Sequence, residues 1–225
     1  MIKLDNISFK PDKNNFIFKH INIFIPSGSI INLDGNAKEG KTSFLKLISV
    51  IKKPTSGKMF LFGKEVSKLN KQEILYIKRD LGIVFEDNFF IDNMNVQENI
   101  LFPLIYKKES NKEMLSALNE LLPWLSLEEI RKRKLSEVSK VESKLVQFAR
   151  AIIGRPRILL LDNLFLDIKS DVEKKIVYLI LALNKIGTTT IVIGKKPITT
   201  QINFDKSFII KNKNIIEIRG SSDKI

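Results

Sequence analysis

The sequence predicts an α/β protein: a mostly parallel sheet, an N-terminal antiparallel β portion and a helical insertion in the middle. Three observations carry this expectation. Residues 30–48 read as a strand, a glycine-bounded loop and a helix. Apolar runs at residues 81–85, 158–162 and 188–193 have the length and composition of strands buried on both faces. Residues 96–151, between the first two of these runs, read as mostly helical. Strands flanked by helices form a parallel sheet with helices on its faces.

Each element follows from local pattern. Residues 2–9 and 16–25 alternate or run apolar around the polar stretch 11–15, which reads as an antiparallel hairpin. Pro26-Ser27-Gly28 is a turn into the strand at 30–34. In the helix that follows, Phe44, Leu45, Leu47 and Ile48 form the buried stripe. Pro54-Thr55-Ser56-Gly57 turns into a short strand at 58–63, and residues 69–79 are helical. Within 96–151, breaks are expected near Pro103, Pro123 and 136–139. Residues 168–186 form an amphipathic helix, with Val172, Ile176, Leu179, Ile180 and Leu183 on one face. Residues 207–218 close the chain with a hairpin around Lys211-Asn212-Lys213-Asn214. Residues 219–225 are a C-terminal tail, of which 220–225 are expected to be disordered.

The loop Gly35-Asn36-Ala37-Lys38-Glu39-Gly40-Lys41-Thr42 fits G-x-x-x-x-G-K-[ST]. The glycines let backbone approach a phosphate with no Cβ in the way. Successive N–H groups then form an anion nest at a helix N-terminus, whose partial positive charge adds to the attraction. Lys41 would reach the β- and γ-phosphates and Thr42 would offer its hydroxyl to Mg²⁺. The alternative is an ordinary strand–turn–helix corner. A second element favours the phosphate reading: residues 158–162 are four apolar residues ending in Asp162, a carboxylate at a strand's end where a Mg²⁺ held by Thr42 would find a partner.

Composition removes several classes. The chain has 225 residues, enough for one large domain or two lobes. With no cysteine, disulfides and Cys-ligated zinc are excluded. The single histidine, His20, leaves no His-based metal cluster or Ser/His triad. No apolar run approaches the ~20 residues of a membrane span, and the first residues lack a signal-peptide pattern, so a cytosolic protein is expected. The net charge of +13 comes from 38 Lys and Arg against 25 Asp and Glu. Such a balance suits nucleic acid or an anionic membrane. Here the lysines are scattered and no aromatics interleave with them, which favours biased composition and no nucleic-acid partner.

The whole chain resembles the nucleotide-binding domain of ABC transporter ATPases, most closely the FtsE, lipoprotein-release and phospholipid-trafficking type. Residues 33–47 resemble the family's Walker A segment, and Pro54-Thr55-Ser56-Gly57 its P-x-S-G turn. Residues 79–85 resemble the strand before the Q-loop. Asn95-Val96-Gln97-Glu98-Asn99-Ile100-Leu101-Phe102-Pro103-Leu104 resembles a family stretch reading x-N-V-x-E-N-V-x-F-P-L. Ala149-Arg150-Ala151-Ile152, Pro156, residues 159–162 and Asp167 resemble the run through Walker B to the D-loop. The resemblance implies a P-loop NTPase core over residues 1–218, with a helical subdomain at about 88–151. It implies that Gly35, Asn36, Ala37, Lys38, Glu39, Gly40, Lys41, Thr42 and Ser43 bind ATP or ADP, and that Thr42, Glu86 and Asp162 hold Mg²⁺. It also implies an integral membrane partner docked around residues 86–106, a homodimer or a heterodimer with another ABC ATPase, and a place on the cytoplasmic face of the inner membrane.

The departures from the family pattern are as informative as the matches. Asn163 stands where the family has its general-base Glu, and Lys195 where it has its switch His. Glu86 replaces the Q-loop Gln. Val138-Ser139-Lys140-Val141-Glu142 replaces Leu-Ser-Gly-Gly-Gln, so Ser139 survives while Lys140 and Val141 take the glycine places. The adenine-stacking aromatic aligns near Pro11, with Phe9 or Phe16 as substitutes. The D-loop between Asn163 and Asp167 is short, and Lys38 occupies a usual Gly. Phosphate- and Mg²⁺-holding residues are kept and hydrolytic ones are replaced. The expectation is a subunit that binds nucleotide and hydrolyses it slowly or not at all. Lys38 and Lys195 would join Lys41 around the triphosphate, or else point to solvent. The rival readings are a working ATPase for lipid or lipoprotein export, and a soluble scaffold or nucleic-acid-associated ABC protein.

Overall fold

The computed structural model describes residues 1–11, 15–36, 38–87, 89–107, 109–194, 196–197 and 202–218. The proposed tail, 219–225, lies outside them, as do Ala37 and Lys195.

The chain opens with β1 (Ile2–Phe9) and β2 (Phe18–Ile25), paired antiparallel. β3 (Ile30–Gly35) leads through the glycine loop into α1 (Lys41–Ile48). β4 (Ser56–Leu61) and the short β5 (Lys64–Glu65) complete an antiparallel sheet of order β2-β1-β4-β5. Gly57 makes the entry to β4 possible: its φ is +88°, and a Cβ there would overlap the Asn6 carbonyl.

α2 (Lys71–Arg79), started by an Asn70–Glu73 capping box, precedes β6 (Leu81–Val84). The helical stretch resolves into α3 (Val96–Lys107), α4 (Asn111–Leu125) and α5 (Lys140–Ile152). β7 (Ile158–Asp162), α6 (Ser170–Lys185), β8 (Thr189–Ile193), β9 (Lys206–Lys211) and β10 (Asn214–Ile218) follow. The second sheet has the order β10-β9-β3-β8-β7-β6 and is parallel except for the β9–β10 hairpin.

Two hydrophobic cores flank this second sheet, and the period of two along its strands divides their side chains between them. Ile158 and Leu160 enter one core, while Leu159 and Leu161 enter the other; Ile191 and Ile193 oppose Val192 in the same way. α1 is buried between the two sheets through Phe44, Leu45, Leu47 and Ile48. α3 to α6 cover the opposite face. Burial on both faces is why these strands read as unbroken apolar runs.

The helix breaks expected near Pro103 and Pro123 are absent: both prolines lie inside helices. An interior proline costs about 3 kcal/mol. Ile100 and Leu104 flank Pro103 in the core, and Leu121, Leu122 and Leu125 surround Pro123. Each buried side chain of this size contributes about 1.5–3 kcal/mol, so packing outweighs the local loss. The break near 136–139 is present, as a 3-10 turn over Leu135–Glu137 before α5.

Candidate functional site

The loop expected to hold phosphate runs from the carboxyl end of β3 to the start of α1. α1 begins on Gly40 with φ +117° and no side-chain cap, so the first N–H groups of the helix are not taken by a capping side chain. Gly40 is needed for a reason internal to the protein: a Cβ there would lie 2.5 Å from Ile17 Cγ2 and 3.0 Å from the Phe18 ring. Close packing of the loop on β2 therefore adds to the requirement for an unobstructed phosphate approach. Lys41 Nζ donates to the Gly35 carbonyl at 2.6 Å. Asn36 N–H donates to Glu39 Oε2 at 2.8 Å, and Asn36 Nδ2 lies 3.2 Å from Glu39 Oε1. Lys38 is exposed with φ +69°. Thr42 and Ser43 occupy the first turn of α1.

Asp162 ends β7, beside Ile193 of β8, and β8 separates it from β3. The carboxylate is 2% exposed, and its Oδ1 has no hydrogen-bond partner. Its pKa is raised to about 6, chiefly by burial and then by Glu86, with Lys41 opposing the rise and Asp87 adding to it. A cavity of about 360 Å³ is lined by Thr42, Lys46, Ile51, Phe85, Glu86, Asp87, Phe89 and Asp162. The structure thus brings together Thr42, Glu86 and Asp162, the three residues expected to hold Mg²⁺. A buried, unpartnered carboxylate oxygen and a threonine hydroxyl on one cavity are donors suited to a hard divalent cation. Among the described residues no three His, Cys, Asp or Glu side chains gather as a self-sufficient metal cage. The fit therefore rests on Asp162 and Thr42, with Glu86 on the lining.

Ser139, Lys140 and Val141 do not line this cavity. Ser139 caps α5: its Oγ accepts from Glu142 N–H at 3.2 Å, and its own N–H donates to Glu142 Oε2 at 2.6 Å. The Ser139 hydroxyl, then its backbone N–H, hold the Glu142 carboxyl below the ordinary range. Asn163, at the expected general-base position, donates its N–H to the Ile193 carbonyl at 2.9 Å. Its Oδ1 packs where a Cβ on Gly194 would stand. Of the two aromatics expected near the base of a nucleotide, Phe9 is 3% exposed in the core and cannot stack on a ligand. Phe16 is half-buried, with Lys10 Nζ 4.2 Å and Lys19 Nζ 5.2 Å from its ring centroid.

Three contributors escaped the sequence reading. Asp87 adds a second carboxylate beside Glu86. Gln147, fully buried on α5, accepts from Phe85 N–H at 3.3 Å. Lys144, also buried on α5, donates to the Leu166 carbonyl at 2.6 Å and lies 3.5 Å from the Asn163 carbonyl, binding α5 to the segment after β7. The only signal for the last two was a long polar residue on an otherwise apolar helix face.

A glycine loop joining a central parallel strand to a buried helix, with an orphaned acid ending the next strand but one, defines a P-loop α/β protein. The sequence profile of the ABC transporter family matches residues 18–165. The chain belongs to that family. It is 33% identical over 181 residues to an ABC transporter ATP-binding protein of Mycoplasma pneumoniae, covering 80% of this chain and 62% of that protein. It is 29% identical over 194 residues to the lipoprotein-releasing system ATP-binding protein LolD of Aquifex aeolicus, covering 86% of each. The ATP-binding cassette MJ0796, solved as a dimer in a post-hydrolysis state with ADP and Pi, superposes with a TM-score of 0.87 at 27% identity, over 98% of this chain and 100% of that one. The chain spans less than two thirds of the first curated relatives it matches, 62% of the Mycoplasma protein and 66% of YvcR from Bacillus subtilis.

Proposed function

We propose that this chain is the nucleotide-binding subunit of an ABC-type membrane complex, that it holds Mg-ATP or Mg-ADP, and that it hydrolyses ATP weakly or not at all. One observation carries the last point: the residue after Asp162 is Asn163, whose amide cannot accept a proton from water. General-base help is worth roughly 10²–10⁴ in rate. Lys140, Val141 and Glu86 depart from the family pattern in the same direction.

On this reading the N–H groups at the start of α1 and the Lys41 ammonium bind the β- and γ-phosphates. Thr42 and Asp162 hold Mg²⁺, which supplies charge neutralisation at the phosphates when bound. Glu86 orients the cation's surroundings, and Phe16 offers an aromatic face for the base. Asn163 leaves the water unpolarised. ATP then acts as a clamp that favours a closed dimer through differential binding. The dimeric ADP-bound relative supports a paired arrangement, either of two copies or with another ABC ATPase.

A membrane partner would dock near residues 86–106. A cavity of about 320 Å³ there is lined by Phe89, Phe90, Phe102 and Pro103, with Arg150 beneath them. No helix among the described residues is long and apolar enough to cross a membrane. On this reading attachment at the cytoplasmic face runs through that partner. The resemblance at residues 95–104 and the likeness to a lipoprotein-releasing protein favour a lipid-related complex.

The alternative is a working ATPase, favoured by relatives named as import or lipoprotein-release ATP-binding proteins. Steady-state phosphate release by the pure chain, alone and with its membrane partner, separates the two. The proposal predicts release near background in both; brisk turnover in either supports the alternative.

A further inference from the structure

The phosphate loop carries its own anion. Glu39 sits directly before Gly40, and its carboxylate is turned back into the loop. Oε2 accepts the Asn36 N–H at 2.8 Å, and Oε1 lies 3.2 Å from Asn36 Nδ2. The same Oε2 would lie 3.3 Å from a Cβ on Gly35, so it occupies the side of the loop that the missing side chain leaves open. Two further donors are also used within the loop. Gly35 N–H donates to Asp34 Oδ1 at 2.7 Å, and Lys41 Nζ donates to the Gly35 carbonyl at 2.6 Å. Gly35, Asn36 and Lys41 all belong to the set expected to face phosphate. Each is satisfied by the loop itself, and Asn36 by a full negative charge.

We propose that the Glu39 carboxylate is a resident competitor for the polyphosphate, which sets how tightly this chain holds nucleotide. The inference rests on the nucleotide-binding reading above and assigns to Glu39 a role opposite to that of its neighbours. Two physical effects act in the same direction. A phosphate using the Asn36 N–H must displace a charge-assisted hydrogen bond, stronger than a neutral one. Wherever the carboxylate then goes along its short tether, it remains a negative charge beside a polyanion. The competition is specific to ligands that reach the loop, which means those with a β-phosphate. A nucleoside monophosphate leaves the contact intact.

The test uses the full chain and the neutral variants Glu39→Gln and Glu39→Ser. Calorimetric titrations with Mg-ATP, Mg-ADP and AMP are paired with thermal melts in the absence of nucleotide. The expected result is about tenfold or greater tightening of Mg-ATP and Mg-ADP in both variants, no change for AMP, and an unliganded melting temperature equal to or below that of the native chain. A residue that merely braces the loop would lower the melting temperature and weaken all ligands together. Unchanged or weakened Mg-ATP affinity in both variants overturns the proposal, as does an equal gain for AMP. If the native chain binds Mg-ATP and the variants match it, only the role of Glu39 falls. If none of the three binds nucleotide at millimolar concentration, the nucleotide-binding reading falls as well.

Discussion

The starts of α1 and α5 are both helix N-termini singled out by sequence, and they are built in opposite ways. α1 begins on Gly40 without a side-chain cap, next to a cavity lined by Asp162, whose Oδ1 has no hydrogen-bond partner. α5 begins on Ser139 and closes on Glu142 in a reciprocal capping box. The carboxylates differ accordingly: Asp162 is buried and raised to about 6, whereas Glu142 is half-buried and lowered by its Ser139 contacts. An N-terminus with no side-chain cap, beside a buried acid, is what the proposed phosphate site calls for. One closed on its own side chains is arranged for helix stability. In this chain the first arrangement is kept where phosphate would bind, and the second is found where the family carries its glycines.

The largest break in this contrast is expected from Gly40→Ala. The new Cβ meets Ile17 and Phe18 at a φ of +117°. Denaturant unfolding should show a loss of about 2–4 kcal/mol, combining overpacking with backbone strain.

Next is Asp162→Asn, which separates the two carboxylates by pH. Because the folded-state pKa of Asp162 lies near 6, above the ordinary 3.8, folding favours its protonated form. Its contribution to stability is full below 3.8 and is lost as pH rises through about 6. The neutral isostere should therefore gain up to about 3 kcal/mol at pH 8 and almost nothing at pH 3.5. The same variant should lose the Mg²⁺ dependence of nucleotide binding. Glu142 has the opposite sign: its stabilisation is present above the ordinary 4.5 and is lost as pH falls below it.

Lys41→Met should cost roughly tenfold to a hundredfold in Mg-ATP affinity, the worth of one charge-assisted contact, as read by calorimetry. Ser139→Ala should be the mildest. Loss of the cap should cost about 1 kcal/mol in chemical unfolding, with the nucleotide affinity of the isolated chain unchanged. Weakened nucleotide binding by that variant would mean that the two helix starts are less distinct than their caps indicate.

Much of this contrast was legible in the residues. The run from Ile30 to Ile48 declared strand, loop and helix, and Leu159 to Asp162 declared a buried strand ending in an acid, because period and punctuation agree there. Other features depend on distant partners. Pro103 and Pro123 read as breaks, since local rules do not register a core that holds Ile100, Leu104 and Leu122 in place. Phe9 read as a substitute for the adenine-stacking aromatic until strand pairing turned it inward. Glu39 read as one more loop position, because spacing does not say which way a carboxylate folds back. Lys144 and Gln147 carried no assigned role in the sequence, because their partners are backbone groups at Leu166 and Phe85 that only the fold brings to α5.

The account stands most directly on what happens to ATP after it binds. Incubating the pure chain with Mg-ATP labelled on both the adenine and the γ-phosphate, and following bound label against released phosphate, reads both halves at once. The account predicts near-stoichiometric bound nucleotide whose γ-phosphate stays attached over many minutes. Rapid release of labelled phosphate, or no bound label at millimolar ATP, would contradict it.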